Sequence, residues 1–598
     1  MTSAQLHARA LLLAIARQLT SRRRLQLLVL SLLMLASGAA EVFSLAAVIP
    51  FLAVLTDPER LWVIPLVQQF ALAVGLRDPQ QLLVPATALF AFAAVLAATV
   101  RLFNVWLNGR LAAVVGLDLS CEAYRRTLLQ PYSVHVQRNS STVIAVITTQ
   151  IDSTVQALNA VLQLATSLTV ATGLLLTLLW FNWQVAIALA AVFGVAYALL
   201  LTKTRQRLSL NSAILSQAIR HRVKTLQEGM GAIRDVLLDG SYATFLRAYR
   251  EADGPIRLKR SESAFLGDFP RYALEALGLV LIAGLALLLS QQQGESMAMV
   301  PLLGTLGLGA QRLLPALQQV YSNLSMLRSH LSGLAEVVML LEQPAPDLLD
   351  ASVLQPLAFQ DRVEFLDVSF AYAPASPLAL DAVSLQIRRG ERVGIIGTTG
   401  SGKSTLMDLL MGLLEPSSGT IRVDGDDLWS RQRILSWRAS LAHVPQSIYL
   451  SDSSVAENIA FGLPSDIIDL ERVRQAAQQA QIAHFVDSLP QGYSTFVGER
   501  GVRLSGGQRQ RIGIARALYK RAKVLVFDEA TSALDHATEQ AVMASINSLS
   551  RDLTIVMVAH RLSTIATCDT VFEISQGRLV RRMTGAEAVS RSRSLDRT

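Results

Sequence analysis

Eight consecutive residues have the types and the spacing of a phosphate-binding loop. They are Gly397, Thr398, Thr399, Gly400, Ser401, Gly402, Lys403 and Ser404, and Thr405 follows them at the start of a helical run. An apolar stretch typical of a strand, 392–396, precedes the loop. Glycines let backbone amides turn toward phosphate oxygens, and the N-terminus of the following helix adds a positive dipole. We therefore expect Lys403 to neutralise the β- and γ-phosphates of a nucleotide, and Ser404 to supply an oxygen to Mg²⁺.

A second segment carries two adjacent carboxylates. The apolar run 524–527 is typical of a buried strand and ends at Asp528, which is followed by Glu529. Asp528 is predicted to hold Mg²⁺, and Glu529 to act as the general base that polarises the attacking water. Acidic residues also end strands for purely structural reasons. The phosphate-binding loop in the same domain favours the catalytic interpretation.

The segment 358–583 resembles the ABC ATPase family. Beyond the phosphate-binding loop, the run Leu504-Ser505-Gly506-Gly507-Gln508 is similar to the signature motif of that family. The family presents this motif from one subunit to the γ-phosphate held by the other. Its expected chemistry is that of the loop itself, with exposed amides, a serine hydroxyl and a helix N-terminus.

Other positions match further motifs of the same family. Gln446 is similar to the Q-loop glutamine near the metal, and His560 to the H-loop histidine that would contact the γ-phosphate. Tyr372 stands where the family stacks an aromatic ring on adenine, and 532–535 resembles the D-loop. The resemblance implies ATP and Mg²⁺ as cofactors. The implied catalytic residues are Glu529, His560 and Gln446. The implied metal ligands are Ser404, Gln446 and Asp528. The implied nucleotide-binding residues are those of the loop, Tyr372, Ser505, Gly506, Gly507 and Gln508.

The bulk composition indicates a membrane protein. Hydrophobic residues make up 51% of the 598 residues and charged residues only 17%, and the mean hydropathy is +0.38. Soluble chains are about one quarter charged. Six apolar runs supply the roughly 20 residues that cross a bilayer. They lie at about 25–55, 82–108, 143–179, 183–201, 265–289 and 299–326.

The distribution of basic residues predicts the orientation of these spans. Arginines and lysines precede the first span and fill the loops after the second and the fourth, whereas the opposite loops contain few. The positive-inside rule therefore places the cassette and both termini in the cytoplasm. The net charge of +8 follows from these flanking clusters, which argues against a nucleic-acid partner. We also expect an amphipathic helix at 6–19 on the membrane surface. The apolar segment 61–74 is expected to form either a short external helix or, equally, a re-entrant or packing element.

These observations define the fold class and the domains. We expect a multi-domain membrane protein, with an all-α six-helix transmembrane domain at 1–340 and an α/β ABC nucleotide-binding domain at 358–583. Two prolines, Pro344 and Pro346, indicate a linker at 341–357. The segment 584–598 is rich in Ser and Arg and is expected to be a disordered tail.

One cassette and one set of six spans cannot complete an ATP site in this family. Because the resemblance places the signature motif opposite the loop of another subunit, it implies a homodimer with two equivalent sites. A heterodimer with a second half-transporter is the alternative.

Three arginines within or beside the apolar runs are candidates for contact with the transported substrate. Arg101, Arg271 and Arg312 are costly in hydrocarbon, and a guanidinium matches the oxygens of a phosphate or pyrophosphate. The alternative for Arg271 is that its side chain reaches the membrane interface, and for Arg312 an ion pair within its own helix. Local sequence around them, together with Glu41 and the segment 138–142, resembles the lipid-linked oligosaccharide flippases of the PglK type.

That second resemblance implies the cargo and the membrane. It predicts flipping of a polyprenyl-pyrophosphate sugar, or a related glycolipid, across the bacterial inner membrane. An exporter of drugs or of lipid A is the first alternative and would not require the three arginines. A non-transporting ATPase or regulator of the same architecture is the second.

Overall fold

The chain folds into two compact units. The computed structural model describes residues 8–56, 76–181, 183–290, 296–344, 355–373, 376–528, 536–548, 552–558 and 565–595, together with isolated residues between 57 and 75. The first unit comprises Met1–Gln130 and Arg138–Ala345, and the second comprises Pro131–Gln137 and Pro346–Thr598. The division at Ala345 lies inside the expected linker. The segment Pro131–Gln137, however, groups with the cassette although it interrupts the transmembrane sequence.

All the regular secondary structure in the described part of the first unit is helical. Its helices are α1 (Ala8–Gln18), α2 (Ser21–Thr56), α3 (Leu83–Leu128), α5 (Ser140–Ala145), α6 (Ile151–Phe181), α7 (Trp183–Gly231), α8 (Ile233–Leu238), α9 (Tyr242–Ser290), α10 (Ser296–Ser329) and α11 (Leu331–Leu341), while α4 (Tyr132–Gln137) belongs to the second unit. One π-helical turn, Val146–Gln150, joins α5 to α6.

Six of these helices, α2, α3, α6, α7, α9 and α10, coincide with the six apolar runs. Among the described residues, three segments are long and apolar enough to span a bilayer, or four if a pair bent by 50° is one span. Helices α7 and α9 have 49 residues each. At about 1.5 Å per residue they exceed the roughly 30 Å of hydrocarbon, so they extend well beyond it.

The N-terminal helix packs on protein instead of exposing its apolar face to lipid. Leu11 and Ile15 of α1 are buried, and they belong to a core shared with Leu119 of α3 and Leu334 of α11. The expected amphipathic helix therefore forms, but its apolar face is covered by its own unit. The expected external helix at 61–74 lies largely outside the described residues.

The second unit contains two sheets. Its elements are β1 (Arg362–Phe370), β2 (Leu380–Arg388), β3 (Arg392–Ile396), α12 (Lys403–Leu410), β4 (Ser418–Val423), β5 (Asp426–Asp427), α13 (Arg431–Ser440), β6 (Leu441–Val444), α14 (Val455–Ile459), α15 (Leu470–Gln479), α16 (Ala483–Asp487), α17 (Gly506–Tyr519), β7 (Val524–Asp528), α18 (His536–Ser548), β8 (Thr554–Val558), β9 (Thr570–Ser575), β10 (Arg578–Met583) and α19 (Gly585–Leu595). One sheet has the order β2-β1-β4-β5 and the other β10-β9-β3-β8-β7-β6.

The larger sheet determines where the chemistry takes place. Strands β9, β3, β8, β7 and β6 are parallel neighbours, and β10 is antiparallel to β9. Helices cover parallel sheets, which explains why β7 and β8 are almost entirely buried. Because the carboxyl ends of parallel strands lie at one edge, the last residues of β3, β8, β7 and β6 all lie there.

A buried tryptophan anchors the helix that follows the phosphate-binding loop. Trp437 of α13 is fully buried, and its indole N–H donates to the carbonyl of Leu410, the last residue of α12, over 2.8 Å. Its ring meets Phe359 edge-on, with 5.7 Å between the ring centroids. The smaller sheet and α12 thus share one core.

The C-terminal segment is more ordered than its composition predicts. Residues 585–595 form helix α19, so the expectation of disorder is wrong there, and 596–598 lie outside the described part. The Glu587 carboxylate accepts from the Thr584 amide at 2.7 Å, and the Glu587 amide donates back to the Thr584 hydroxyl. This reciprocal cap, with an ion pair between Arg591 and Glu573 at 3.1 Å, stabilises the helix.

Candidate nucleotide-binding site and family membership

The phosphate-binding loop connects β3 to α12 in a conformation that requires glycine. Gly400 and Gly402 have φ values of 80° and 104°. A Cβ on Gly402 would lie 2.7 Å from the carbonyl oxygen of Ala379. Since no side chain larger than hydrogen fits, the backbone can form the tight cradle that phosphate oxygens require.

Lys403 lies across this cradle. The residue is 7% exposed, and its ammonium donates to the carbonyls of Gly397 at 2.8 Å and Thr398 at 2.9 Å. An ammonium has three protons, so one remains for a phosphate oxygen. Ser404 is exposed at the start of α12, where a metal can reach it, whereas Ser401 is buried beneath the loop. The residues present fit a triphosphate with its metal.

The other predicted ligands lie at the same edge of the sheet. Asp528 is the last residue of β7, and Gln446 follows the end of β6 by two residues. Val444 pairs with Phe527 and Asp528 pairs with Val558, so these strand ends are in register with one another. Glu529 and His560 directly follow β7 and β8 in the sequence, but both lie outside the described residues.

Tyr372, the predicted adenine-stacking residue, lies beside the start of α12. Its hydroxyl is 3.1 Å from that of Thr405, and its ring meets Phe370 edge-on at 5.0 Å between centroids. Sequence reasoning missed its other partner. The side-chain amide of Gln137, on α4, donates to the Tyr372 carbonyl over 2.8 Å. Helix α4 is therefore hydrogen-bonded to the segment that carries the predicted adenine contact.

Asp408 is a second residue that sequence reasoning missed. It lies on α12, beneath the site, where burial and the negative charge of Asp528 raise its pKa to about 6. No motif identifies this residue, because its proximity to Asp528 depends on how α12 packs against β7.

Asp408 makes the stability of the nucleotide-free protein depend on pH. The pKa of Asp408 in the folded protein lies above the unfolded value of 3.8, so burying the ionised carboxylate destabilises the folded state above pH 6. This destabilisation disappears as the pH falls toward 4, because the carboxyl group is then protonated in the folded protein. After discounting for solvent screening, we expect Asp408→Asn to add about 1 kcal/mol at pH 7.5 and less at pH 4.5. Thermal unfolding of full-length protein in chelator should show a rise of about 2–4 °C at the higher pH. Asp466→Asn, on the exposed surface, is the control; an equal rise at both pH values would contradict the assignment.

The predicted signature motif begins helix α17. The Ser505 hydroxyl accepts from the Gln508 amide at 3.3 Å, and the Gln508 side chain accepts from the Ser505 amide at 2.8 Å. Ser505 and Gly506 are exposed, and Gly507 is partly exposed. This arrangement presents a capped helix N-terminus at the surface, where the γ-phosphate of a second subunit could bind.

Arg101 and Arg271, the two candidate arginines whose side chains the structure describes, do not line a common cavity in the described residues. Arg101 lines a cavity of about 320 Å³ between α2, α3, α6 and α10, which we call the polar span cavity. Its guanidinium is 3.8 Å from the Glu41 carboxylate. Arg271, on α9, lies over the neighbouring Tyr272 ring and is not among the residues that line this cavity. The side chain of Arg312, on α10, lies outside the described part.

Comparisons with known proteins agree with this architecture. The sequence model of the ABC transporter family matches residues 380–532. The ATP-dependent lipid A-core flippase of Polaromonas sp. is 34% identical over 446 residues, 73% of each chain. That of Ralstonia nicotianae is 30% identical over 492 residues, 79% of this chain and 80% of the relative. A solved structure of a bacterial Atm1-family ABC exporter with ATP bound covers 96% of each chain, with 25% identity and a TM-score of 0.76.

Similarity of this extent covers both the helical unit and the cassette. It agrees with the geometry of the loop after β3, with Asp528 at the adjacent strand end and with the capped helix that begins at Ser505. ATP and Mg²⁺ are therefore the cofactors, and the protein acts as a dimer in a membrane. The chain belongs to the ABC transporter family and is a half-transporter of the exporter type, an ATPase coupled to transport across a membrane.

Proposed function

We propose that this half-transporter flips a phosphorylated glycolipid across the bacterial inner membrane, toward the outer leaflet. The observation that carries the proposal is the polar span cavity, in which Arg101 and Glu41 lie among neutral amides and hydroxyls between four helices. Ionisable and polar groups at this depth are costly in hydrocarbon, so they indicate a polar cargo. An apolar drug would gain nothing from them.

The relatives support a first candidate for that cargo. Two relatives that match this chain over more than 70% of its length are named lipid A-core flippases. Such a lipid combines acyl chains with a phosphorylated sugar head group. The guanidinium of Arg101, 64% exposed at the mouth of the cavity, is suited to the phosphate because it donates bidentately.

A lipid-linked oligosaccharide is the second candidate. The local resemblance around Glu41, 138–142 and 270–275 to PglK-type flippases supports it. Both candidate lipids contain a phosphate or pyrophosphate group, a sugar and an apolar anchor. A non-transporting ATPase has no use for a polar cavity inside the spans, so the cavity argues against that alternative.

The proposed cycle depends on two copies of this chain, as a homodimer, with both cassettes and termini in the cytoplasm. Lys403 would hold the phosphates, and Ser404, Gln446 and Asp528 the metal, while Glu529 takes the proton of the attacking water. His560 would donate to the γ-phosphate. Ser505 and the amides of Gly506 and Gly507 would complete the site of the other copy. Magnesium-bound ATP supplies the free energy that drives the cycle.

Reconstituted transport tests the proposal directly. The wild-type protein is reconstituted in proteoliposomes with one of three substrates: a phosphorylated disaccharide lipid with acyl chains, an undecaprenyl-pyrophosphate disaccharide or an apolar dye. ATP-dependent transport of each substrate is measured, and Glu529→Gln is the inactive control. We expect ATP-dependent flipping of at least one of the two glycolipids. Export of the dye alone, with hydrolysis intact, would contradict the proposal and support the drug exporter.

Removing the charge at the mouth of the cavity should impair transport selectively. We expect Arg101→Gln to lower glycolipid flipping about 10-fold, since a charge-assisted hydrogen bond to phosphate is worth about 1.5–3 kcal/mol. The control is Arg110→Gln, on the same helix, where the guanidinium lies over the Trp106 ring at 5.4 Å. Flipping and ATPase rates are measured on the same vesicles. A parallel loss of both rates would instead indicate a general structural defect.

A further inference from the structure

Arg516 ties the helix that begins at the predicted signature motif to the loop that contains Gln446. It lies in α17, eleven residues after Ser505, which corresponds to three helical turns or about 16 Å. Its guanidinium donates to the carbonyl of Tyr449 at 3.1 Å, to the carbonyl of Asn458 at 2.9 Å and to the side-chain oxygen of Asn458 at 3.3 Å. Because Tyr449 follows Gln446 by three residues, one side chain connects the two motifs.

Close packing reinforces this connection. We call residues 446–450 the glutamine loop, and within the described structure it belongs to no helix or strand. Ile448 of this loop lies against Gly513, which is one turn before Arg516, and a Cβ on Gly513 would clash with the Ile448 side chain. Glycine weakens a helix interior, so its presence at this position has a packing reason. The glutamine loop is therefore held on α17 by both packing and hydrogen bonds.

Asn458 fixes the chain that follows the glutamine loop. The residue is fully buried, and its side-chain amide donates to the carbonyls of Ser451 at 3.0 Å and Ser454 at 3.1 Å. Its side-chain oxygen accepts from the Ser451 amide at 3.0 Å. Arg516 therefore binds a segment whose own shape is fixed, so a displacement of that segment is transmitted to α17 instead of being absorbed within the loop.

Stability alone does not account for an arginine at this position. The three acceptors named above are neutral oxygens, and burial lowers the pKa of Arg516 to about 10, so its charged form is disfavoured by its surroundings. The guanidinium also lies over the Phe461 ring at 4.5 Å, which offsets part of this cost. An apolar side chain would fill the space without the cost of burying a charge, but it could not hold the glutamine loop.

We propose that Arg516 is a positioning residue that couples the two ATP sites of the dimer. In the cycle proposed above, Gln446 holds the metal of its own copy's site, whereas Ser505 completes the site of the other copy. When Mg²⁺ and ATP draw the glutamine loop toward the first site, Arg516 moves α17 with it and brings the signature motif to the second nucleotide. This role rests on the proposed dimeric cycle and does not depend on the cargo.

Hybrid dimers of the full-length protein measure this coupling. Two copies with different affinity tags are co-expressed, and the dimers that carry both tags are purified and reconstituted. One copy is wild type. The other carries either Glu529→Gln, which should bind ATP without hydrolysing it, or Lys403→Ala, which should prevent binding. The ratio of the ATPase rates of these two hybrids, which we call the coupling ratio, is the factor by which an occupied site stimulates the other site.

Removing the guanidinium should abolish the coupling. We expect a coupling ratio of at least about fivefold, and a ratio within about twofold of one when Arg516→Met is added to the copy that carries the site variant. Methionine keeps the apolar stem but cannot donate to Tyr449 or Asn458. Arg516→Lys keeps the charge and reaches fewer acceptors, so its coupling ratio should lie between the two. The affinity of Arg516→Met for a fluorescent ATP analogue should stay within about threefold of wild type, because the phosphate-binding loop is unchanged.

The matched control is Arg511→Met, on the same helix. Arg511 donates to the Gln481 carbonyl at 2.7 Å, outside the glutamine loop, so this variant should retain the wild-type coupling ratio. An equal fall in Arg511→Met would show that loss of any guanidinium from α17 has the same effect, and the role of Arg516 would be overturned. If Arg516→Met yields no folded dimer, Arg516→Lys decides, since an unchanged coupling ratio overturns the role and a lowered ratio supports it.

The outcomes separate this role from the proposed function. If copies with different tags do not purify together, or if the Glu529→Gln homodimer hydrolyses ATP at a rate near that of wild type, the proposed cycle fails. If both tests agree with the cycle but the wild-type coupling ratio is one, or Arg516→Met leaves the ratio unchanged, only the role of Arg516 is overturned.

Discussion

Glu529→Gln is expected to lower steady-state ATP hydrolysis by at least about 100-fold, the loss expected when a general base is removed. Glu529 follows Asp528, the last residue of β7, at the edge where the phosphate-binding loop also lies. Glutamine retains the size and the hydrogen bonding of the side chain but cannot accept the proton of the attacking water. Binding of a fluorescent ATP analogue should therefore stay within about threefold of wild type, since Lys403 and Ser404 are unchanged.

The control for this variant is Glu415→Gln. Glu415 is exposed in the loop after α12 and belongs to no motif. The Glu415→Gln variant should hydrolyse ATP at the wild-type rate. Hydrolysis by Glu529→Gln at a rate near that of wild type would remove Glu529 from the catalytic role and require another base.

The second large effect is expected at Trp437, far from the reacting atoms. Truncating a fully buried tryptophan costs about 3–5 kcal/mol, so Trp437→Ala should lower the thermal midpoint of the cassette by about 10 °C. It also leaves the Leu410 carbonyl at the end of α12 without its donor. The position of the helix that begins with Lys403 is then less well fixed, so the KM for ATP should rise.

Trp437→Phe separates the two roles of this side chain. Phenylalanine keeps most of the apolar contact with Phe359 but cannot donate to Leu410, so about 1–2 kcal/mol should be lost. Differential scanning of full-length protein, with and without ATP analogue, measures both variants. Equal losses for alanine and phenylalanine would show that the hydrogen bond outweighs the packing.

The nucleotide site could be predicted from sequence because its parts are short and contiguous. The loop 397–404 lies between a strand and a helix, and Asp528 ends an apolar strand, so each motif carries its structural context with it. The order of the parallel strands then brings Asp528 and Gln446 to the edge where the loop lies. That juxtaposition follows from strand topology, which the sequence pattern alone does not specify.

Residues that depend on tertiary contact could not be predicted in this way. Asp408 is ordinary within its helix, and its raised pKa arises from packing near Asp528. The approach of Arg101 to Glu41, at 3.8 Å, depends on how α3 packs against α2. In contrast, the helix α19 had a local signal, the Thr584 and Glu587 cap, which the Ser- and Arg-rich composition obscured.

The cassette unit is discontinuous in sequence, since Pro131–Gln137 belongs to it although more than 200 residues separate this segment from Pro346. A fragment cut at the linker would lack α4, and with it the amide of Gln137 that bonds the Tyr372 carbonyl. The excised cassette is therefore an incomplete unit, in which the segment predicted to contact adenine has lost one hydrogen bond. Nucleotide affinities measured on such a fragment would describe a looser site than the one in the intact transporter.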